Sequence, residues 1–256
     1  LHAPHSILVQ PAELVIGLAN SMPENVQVFE SSMVTDVDFG PPHTIRTALG
    51  SVRSPSLVIA ANGFGEGFGL FKNSLIPLIT WGSMTRPLSD DEVAALGGQE
   101  NYGIIPAHPA GTTVRRRPDN RILIRNQYTF SRRSSVTKGL AAVKRIHEKS
   151  FHNRYPMLPN VEFDYSWGGA LALSRNGEGV CGSVADGIWA TMAYQGTGMA
   201  KGTISGKYLA EHMLGDDDPL MGLVAGAPSR NFPDPFNRWG VRMNSRWRRW
   251  QAGLEE

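Results

Sequence analysis

Apolar and polar positions alternate along this chain with two different periods. Pro11 to Ala19 places Leu14, Val15 and Leu18 at helical spacing behind a proline suited to a first turn, which predicts a helix packed by one face and ended at Pro23. Short β-type runs follow at Val26 to Phe29, Met33 to Asp38, Thr44 to Ala48 and Leu57 to Ala60, with turn residues such as Gly40-Pro41-Pro42 and Leu49-Gly50 between them. They predict a strand, a hairpin and a further strand. Extended pieces resume at Ile76 to Met84, Tyr102 to Pro106, Thr112 to Arg116 and Ile122 to Ile124, so a second sheet is expected there. Val136 to Phe151 has apolar or small residues at helical spacing with Lys and Arg between them, which predicts an amphipathic helix.

The most informative unit comes late. Gly187 to Tyr194 reads as a strand, Gln195-Gly-Thr-Gly198 as a glycine turn, and Met199 to Leu214 as a helix ending near Gly215. Such a turn lets backbone approach a ligand and aims free N–H groups from the positive end of the helix dipole. Gly202 and Gly206 continue the spacing of Gly198 and leave one helix face bare for close packing. Beyond Pro219 the composition shifts to Pro, Asn, Arg and Trp, and Arg246-Trp-Arg-Arg-Trp250 predicts a terminal helix. No internal repeat is visible, which excludes a solenoid.

Composition narrows the partners. The 256 residues, 41% hydrophobic, suffice for one large unit or two small ones. Lys+Arg 25 against Asp+Glu 23 is too near neutrality to demand a polyanion as the main partner. One cysteine, Cys181, excludes an intrachain disulfide and any cysteine-built metal centre, and fits a reducing cytoplasm. No run reaches the ~20 apolar residues of a membrane span. No nucleic acid, membrane span or metal is expected as a partner, and a second copy of the chain in a homo-oligomer is.

Four motifs occur in order: Leu57-Val-Ile-Ala-Ala-Asn-Gly63, Trp167-Gly-Gly169, Ser174-Arg-Asn-Gly177 and Tyr194-Gln-Gly-Thr-Gly198. Together they resemble the FAD-dependent oxidoreductases of the D-amino-acid oxidase superfamily, among them glycine, sarcosine and polyamine-conjugate oxidases, over Gln10 to Leu214. The resemblance implies an α+β or α/β fold in which a Rossmann-like domain holds FAD and an antiparallel sheet roofs the flavin and shapes the substrate pocket. The domains expected are 1–66 with 165–215 for FAD, 67–164 for substrate, and a tail, 216–256. It also implies a small amine or amino-acid substrate, with hydride transfer from its amine-bearing carbon to flavin N5, later hydrolysis of the imine and no dedicated protein base.

Residue by residue, the resemblance makes Val34 the position whose backbone meets adenine. Ala61, Asn62 and Gly63 follow the strand passing the cofactor, and Gly168 lies in the second motif. Gln195, Gly196, Thr197, Gly198 and Met199 face the flavin's pyrimidine end, where the helix N-terminus stabilises charge near N1 on reduction. Arg116 or Arg117 resembles a carboxylate-binding position, and is otherwise part of a solvated loop. Trp81 is read either as lining the flavin or substrate pocket or as a core residue.

Two departures matter. No Gly-x-Gly-x-x-Gly follows a strand near the start, so that segment is expected upstream of Leu1, and this polypeptide alone is expected to hold FAD weakly. Where relatives that oxidise free amino acids carry an Arg before the turn, the stretch reads Leu171-Ala-Leu-Ser-Arg175, which tilts the substrate away from simple amino acids. Cys181 lies past the turn used for covalent flavin, so noncovalent FAD is expected. The alternatives are a noncatalytic binding or assembly subunit derived from this fold, and nucleic-acid contact through the Arg/Trp tail, against which stands packing of that tail on its own domain.

Overall fold

The structure, a computed structural model, describes residues 5–130, 139–216 and 218–255. In chain order its helices are α1 (Pro11–Asn20), α2 (Asp90–Leu96), α3 (Leu140–Arg154), α4 (Gly198–Met213) and α5 (Phe236–Ala252). The strands are β1 (Val34–Asp38), β2 (His43–Thr47), β3 (Gly50–Ser54), β4 (Leu57–Ile59), β5 (Leu75–Thr85), β6 (Tyr102–Ile104), β7 (Thr113–Arg116), β8 (Ile122–Phe130), β9 (Phe163–Ser174), β10 (Val180–Ala185) and β11 (Ile188–Met192). The chain divides into two compact units, Leu1–Leu75 with Ala172–Arg230 and Ile76–Leu171 with Asn231–Glu256.

In the first unit β1, β2 and β3 form an antiparallel meander, and a second sheet runs in the order β10-β11-β4. There β10 and β11 are an antiparallel hairpin, while β11 and β4 run parallel, Ile188 beside Leu57 and Ala190 beside Ile59. Ile59, Leu75, Ala172, Val180, Ile188, Ala190, Met192 and Ala193 make its core. Two parallel strands put both following turns at the same sheet edge, which is where α/β folds bind ligands.

The second unit is a five-stranded sheet in the order β6-β7-β8-β5-β9. One face is covered by α3. Ile122, Ile124, Phe151, Leu158 and Phe163 belong to one apolar cluster, and Ile79, Trp81 and Val143 to another. A bulge between Thr80 and Trp81 in the β5–β8 pairing leaves Gln127 at φ 62, and Arg249 of α5 donates to Gln127 Oε1 at 2.9 Å. The chain's end is anchored beside it, with His108 N donating to Glu255 Oε2 at 2.8 Å and Thr112 N to Glu255 O at 2.7 Å.

Several elements differ from the sequence expectation. Val26 to Phe29 is irregular and not a strand. Polar β3 forms because β2 supplies its hydrogen bonds. Helix α2 carries too short an apolar pattern to be read as a helix, and a capping box starts it: Ser89 Oγ accepts from Glu92 N while Glu92 returns to Ser89 N. Arg86 grips Glu92 with two bonds of 2.7 Å, which holds that carboxyl down to about 2. The helix expected over Val136 to Phe151 runs from Leu140, and its first residues, Val136 to Lys138, lie outside the described residues. Helix α1 forms, yet none of its residues is buried; Leu14, Val15, Ile16 and Leu18 are exposed.

Candidate functional site

The parallel pair β4 and β11 brings two sequence-distant turns together. After β4 the chain enters a 3₁₀ helix, Asn62–Phe68, with Ala61 at its N-cap. After β11 it enters the turn that starts α4. Asn62 Oδ1 accepts from Ala193 N at 3.1 Å and ties the turns edge to edge. Gly63 packs so closely that an added Cβ would stand 3.1 Å from that of Ala172.

Left-handed backbone is concentrated here, at Asn62 (φ 43), Ala193 (φ 59), Gln195 (φ 54) and Gly196 (φ 80). Non-glycine residues adopt it at a cost of about 1–2 kcal/mol each, and clusters of it mark sites whose backbone must point a particular way. The Gln195 side chain is what holds the turn. Its Nε2 donates to Ser174 Oγ (3.0 Å), Glu178 O (3.0 Å) and Ala193 O (2.9 Å), and its Oε1 accepts from Ser174 N (3.2 Å). Gln195 is thereby fully engaged inside the protein and acts on any ligand through its backbone and by positioning Gly196.

The N-terminus of α4 is open. Thr197 is the N-cap residue, but its hydroxyl bonds Tyr194 O at 2.8 Å and no side chain caps the helix. Among the described residues no acceptor meets the amides of Gly198, Met199 and Ala200. A Cβ on Gly196 would touch nothing within 4 Å, and one on Gly198 only Tyr194 Cδ2 at 3.7 Å. Free donors at the positive end of a 16-residue helix, beside an uncrowded glycine turn, fit the electron-rich edge of a flavin. Val34 stands at the start of β1, half-buried, opposite Thr47 and next to a bulge in the β1–β2 ladder.

In the second unit the sequence candidates turn inward. Trp81 is 1% exposed, packs against Ile79 and Val143, and donates from Nε1 to Thr129 Oγ1 at 3.1 Å. Gly168 is required by that ring, since a Cβ there would lie 2.9 Å from Trp81 Cε3. Arg116 is also 1% exposed, and its Nη1 donates to Gly97 O (2.8 Å) and Gln99 O (2.9 Å). Arg117 pairs with Asp119. Trp81 and Arg116 are both enclosed, because the β-sheet period directs each into a packed layer.

The face of this sheet away from α3 carries what sequence reasoning missed. Arg125 donates to Thr113 Oγ1 (2.9 Å), to Thr80 Oγ1 (3.4 Å) and to the Tyr128 hydroxyl, and lies over the Tyr128 ring at 5.3 Å. Among the described residues it has no carboxylate partner. Beside it Trp167 lies against Gly82, where a Cβ would be 3.0 Å from Trp167 Cζ2, and Trp167 and Tyr165 remain 42% and 54% exposed. Arg121 covers the Tyr165 ring at 5.4 Å. The signal for Arg125 was its place one residue past buried Ile124 in a strand, which puts it on the opposite face. Cys181 is buried, its thiol pushed up by burial.

The chain is similar to known proteins along most of its length. Gamma-glutamylputrescine oxidoreductase of Escherichia coli is 27% identical over 243 residues, 91% of this chain and 55% of that protein. A probable oxidoreductase OrdL of Haemophilus influenzae is 27% identical over 219 residues, 83% of this chain and 48% of that protein. The chain spans about half the length of the relatives it matches. Glycine oxidase from Geobacillus kaustophilus has the same fold, with a TM-score of 0.64 at 16% identity over 81% of this chain and 54% of its own. L-proline dehydrogenase from P. horikoshii gives 0.63 at 15% identity over 78% and 54%. The family model described as DAO, FAD dependent oxidoreductase, matches residues 1–212, and the chain belongs to that family.

Proposed function

We propose that this chain is the part of an FAD-dependent oxidoreductase that holds the flavin's redox ring, and that the enzyme oxidises a C–N bond of a small amine or amino acid. The observation that carries this reading is the pair of turns at the carboxyl ends of β4 and β11, locked by Asn62 and Gln195, with the uncapped amides of α4 beside them. When bound, FAD would supply the electron-accepting chemistry that removes a hydride from a substrate carbon.

The protein's share is position and charge. The amides of Gly198, Met199 and Ala200 would hold the flavin and favour negative charge on it as it is reduced, which asks for no proton-transfer residue. Ala61, Asn62, Gly63 and Val34 supply backbone for the remainder of the cofactor. Buried Cys181 is unsuited to a covalent link, which favours noncovalent FAD.

Arg125, with neutral hydroxyl partners only, suits a substrate bearing a carboxylate, and exposed Trp167 and Tyr165 suit an apolar neighbour beside it. Proline, glycine and polyamine-conjugate oxidising relatives support amines as the substrate class. The test uses the full-length protein loaded with FAD. Under anaerobic conditions a panel of primary and secondary amines, with and without a carboxylate, is mixed with the holoenzyme and the flavin absorbance followed. Bleaching by at least one amine is expected. A protein that binds FAD stoichiometrically but is reduced only by hydroxy acids or alcohols defeats the C–N assignment.

A further inference from the structure

Helix α5 is amphipathic in the wrong sense for a helix packed on its own sheet. Its inward positions are Asn237 and Ala252, both buried, with Val241, Ser245 and Arg249 half-buried between them. Its outward positions are Phe236, Trp239, Met243, Trp247 and Trp250, exposed by 68%, 60%, 71%, 56% and 71%. Spacings of three and four residues put these five on one stripe, so the apolar face points away from the unit that carries the helix. The rings of Trp247 and Trp250 associate with each other at 4.8 Å, tilted by 31°.

Charge is arranged along the same stripe. The α5 sequence contains five arginines and no acidic residue, while the whole chain is only +2. Arg238, Arg242 and Arg246 each precede an outward residue, Trp239, Met243 and Trp247, and so form an exposed cationic row flanking the aromatic one. Among the described residues no carboxylate pairs with any of the three. The helix is far too polar to cross a bilayer. The family model matches residues 1–212, and α5 lies beyond that range.

An unbroken apolar stripe beside a row of unpaired guanidinium groups complements a surface that is apolar inside and anionic at its rim. We propose that the outward face of α5 is a membrane-surface anchor, which lies in the plane of an anionic phospholipid bilayer with Phe236, Trp239, Met243, Trp247 and Trp250 among the upper acyl chains and Arg238, Arg242 and Arg246 on the phosphates. Tryptophan suits that boundary because its indole is apolar in body and polar at N–H. The charge complementarity is local to the helix, and it selects a bilayer over a nucleic acid because Met243 and Phe236 gain nothing from phosphate or from an ordered array of bases. This reading does not depend on the proposed reaction.

The experiment is co-sedimentation of the full-length holoenzyme with vesicles of phosphatidylcholine containing about 30% phosphatidylglycerol, against vesicles of phosphatidylcholine alone. Binding to the anionic vesicles that weakens at high salt, with a blue shift of tryptophan emission, is the expected result. The variant carrying Arg238→Gln, Arg242→Gln and Arg246→Gln is expected to bind them roughly 100-fold more weakly. The variant carrying Trp239→Ser, Trp247→Ser and Trp250→Ser is expected to lose the blue shift and the binding, with an unfolding midpoint close to that of the parent because all three side chains are exposed. Unchanged binding in both variants overturns the proposal. So does absence of binding to anionic vesicles, dimerisation that the tryptophan variant abolishes in place of vesicle binding, or tighter binding to a single-stranded oligonucleotide than to vesicles.

Discussion

His147 gives the sharpest quantitative test of the second unit's architecture. It lies on α3, is 0% exposed, and its Nδ1 stands 2.7 Å from Ser83 Oγ, which stands 2.8 Å from Ser166 Oγ. Its ring meets the edge of Phe163 at 6.5 Å, and the Asn126 backbone is a further hydrogen-bond neighbour of the imidazole. Burial pushes the imidazole down to about 4 from 6.5. The folded protein therefore refuses, between those two values, a proton that the unfolded chain accepts. The stability contributed by the neutral ring is complete above pH 6.5 and is lost as pH falls toward 4. At about 1.4 kcal/mol per pH unit the loss amounts to about 3 kcal/mol over that interval. The perturbation is His147→Asn, whose amide reaches the position of Nδ1, keeps a bond to Ser83 and does not titrate. It leaves a cavity and lowers stability by a constant amount at every pH, so slope and not height is the readout. Urea unfolding followed by tryptophan emission from about pH 7.5 to about pH 4, at matched m-values, measures it. The difference between the two proteins should shrink by about 3 kcal/mol as the pH falls. Parallel curves refute the reasoning.

Three further outcomes follow from single contacts. At Asn62 the hydrogen bond to Ala193 and the left-handed backbone are separable: Asn62→Asp keeps both, Asn62→Gly loses the bond at a cost of about 1–2 kcal/mol, and Asn62→Ala loses both at about 2–3 kcal/mol. Denaturation midpoints ranked otherwise contradict the double role. Gly168→Ala drives a methyl into Trp81 at 2.9 Å and should destabilise by about 1–3 kcal/mol, with Trp81→Phe in the same chain recovering part of the loss, as a thermal melt reads directly. Arg125→Gln should raise KM for a carboxylate-bearing amine about 10-fold or more while leaving kcat within a few-fold, and should not affect the amide of the same amine; equal losses on both would remove the carboxylate contact.

The elements read from the sequence were those whose signal is local. The strand, glycine turn and helix at 187–214 became β11 and α4 because a run of apolar residues, a Gly-rich break and a helical stretch each bias their own backbone. The order of four motifs was enough to name the superfamily, since it encodes how the backbone must bend and not which atoms touch. The glycine turn before α4 was legible for the same reason, as φ 80 at Gly196 is a property of one residue.

Tertiary structure decided everything that depends on which face a residue shows and who stands opposite. Arg116 and Arg125 look alike along the chain, yet the pleat sends the first inward to carbonyls of Gly97 and Gln99 and the second outward to a ring of hydroxyls. Asn62 and Ala193 are separated by 131 residues and meet only because β4 and β11 run parallel. Polar β3 and the outward tryptophans of α5 have meaning only against their neighbours or their lack of them. The sequence determined local backbone preference and period, whose energies are set within a few residues; strand pairing and side-chain facing were decided by long-range packing, because burial rewards contacts between segments that carry no mark of each other.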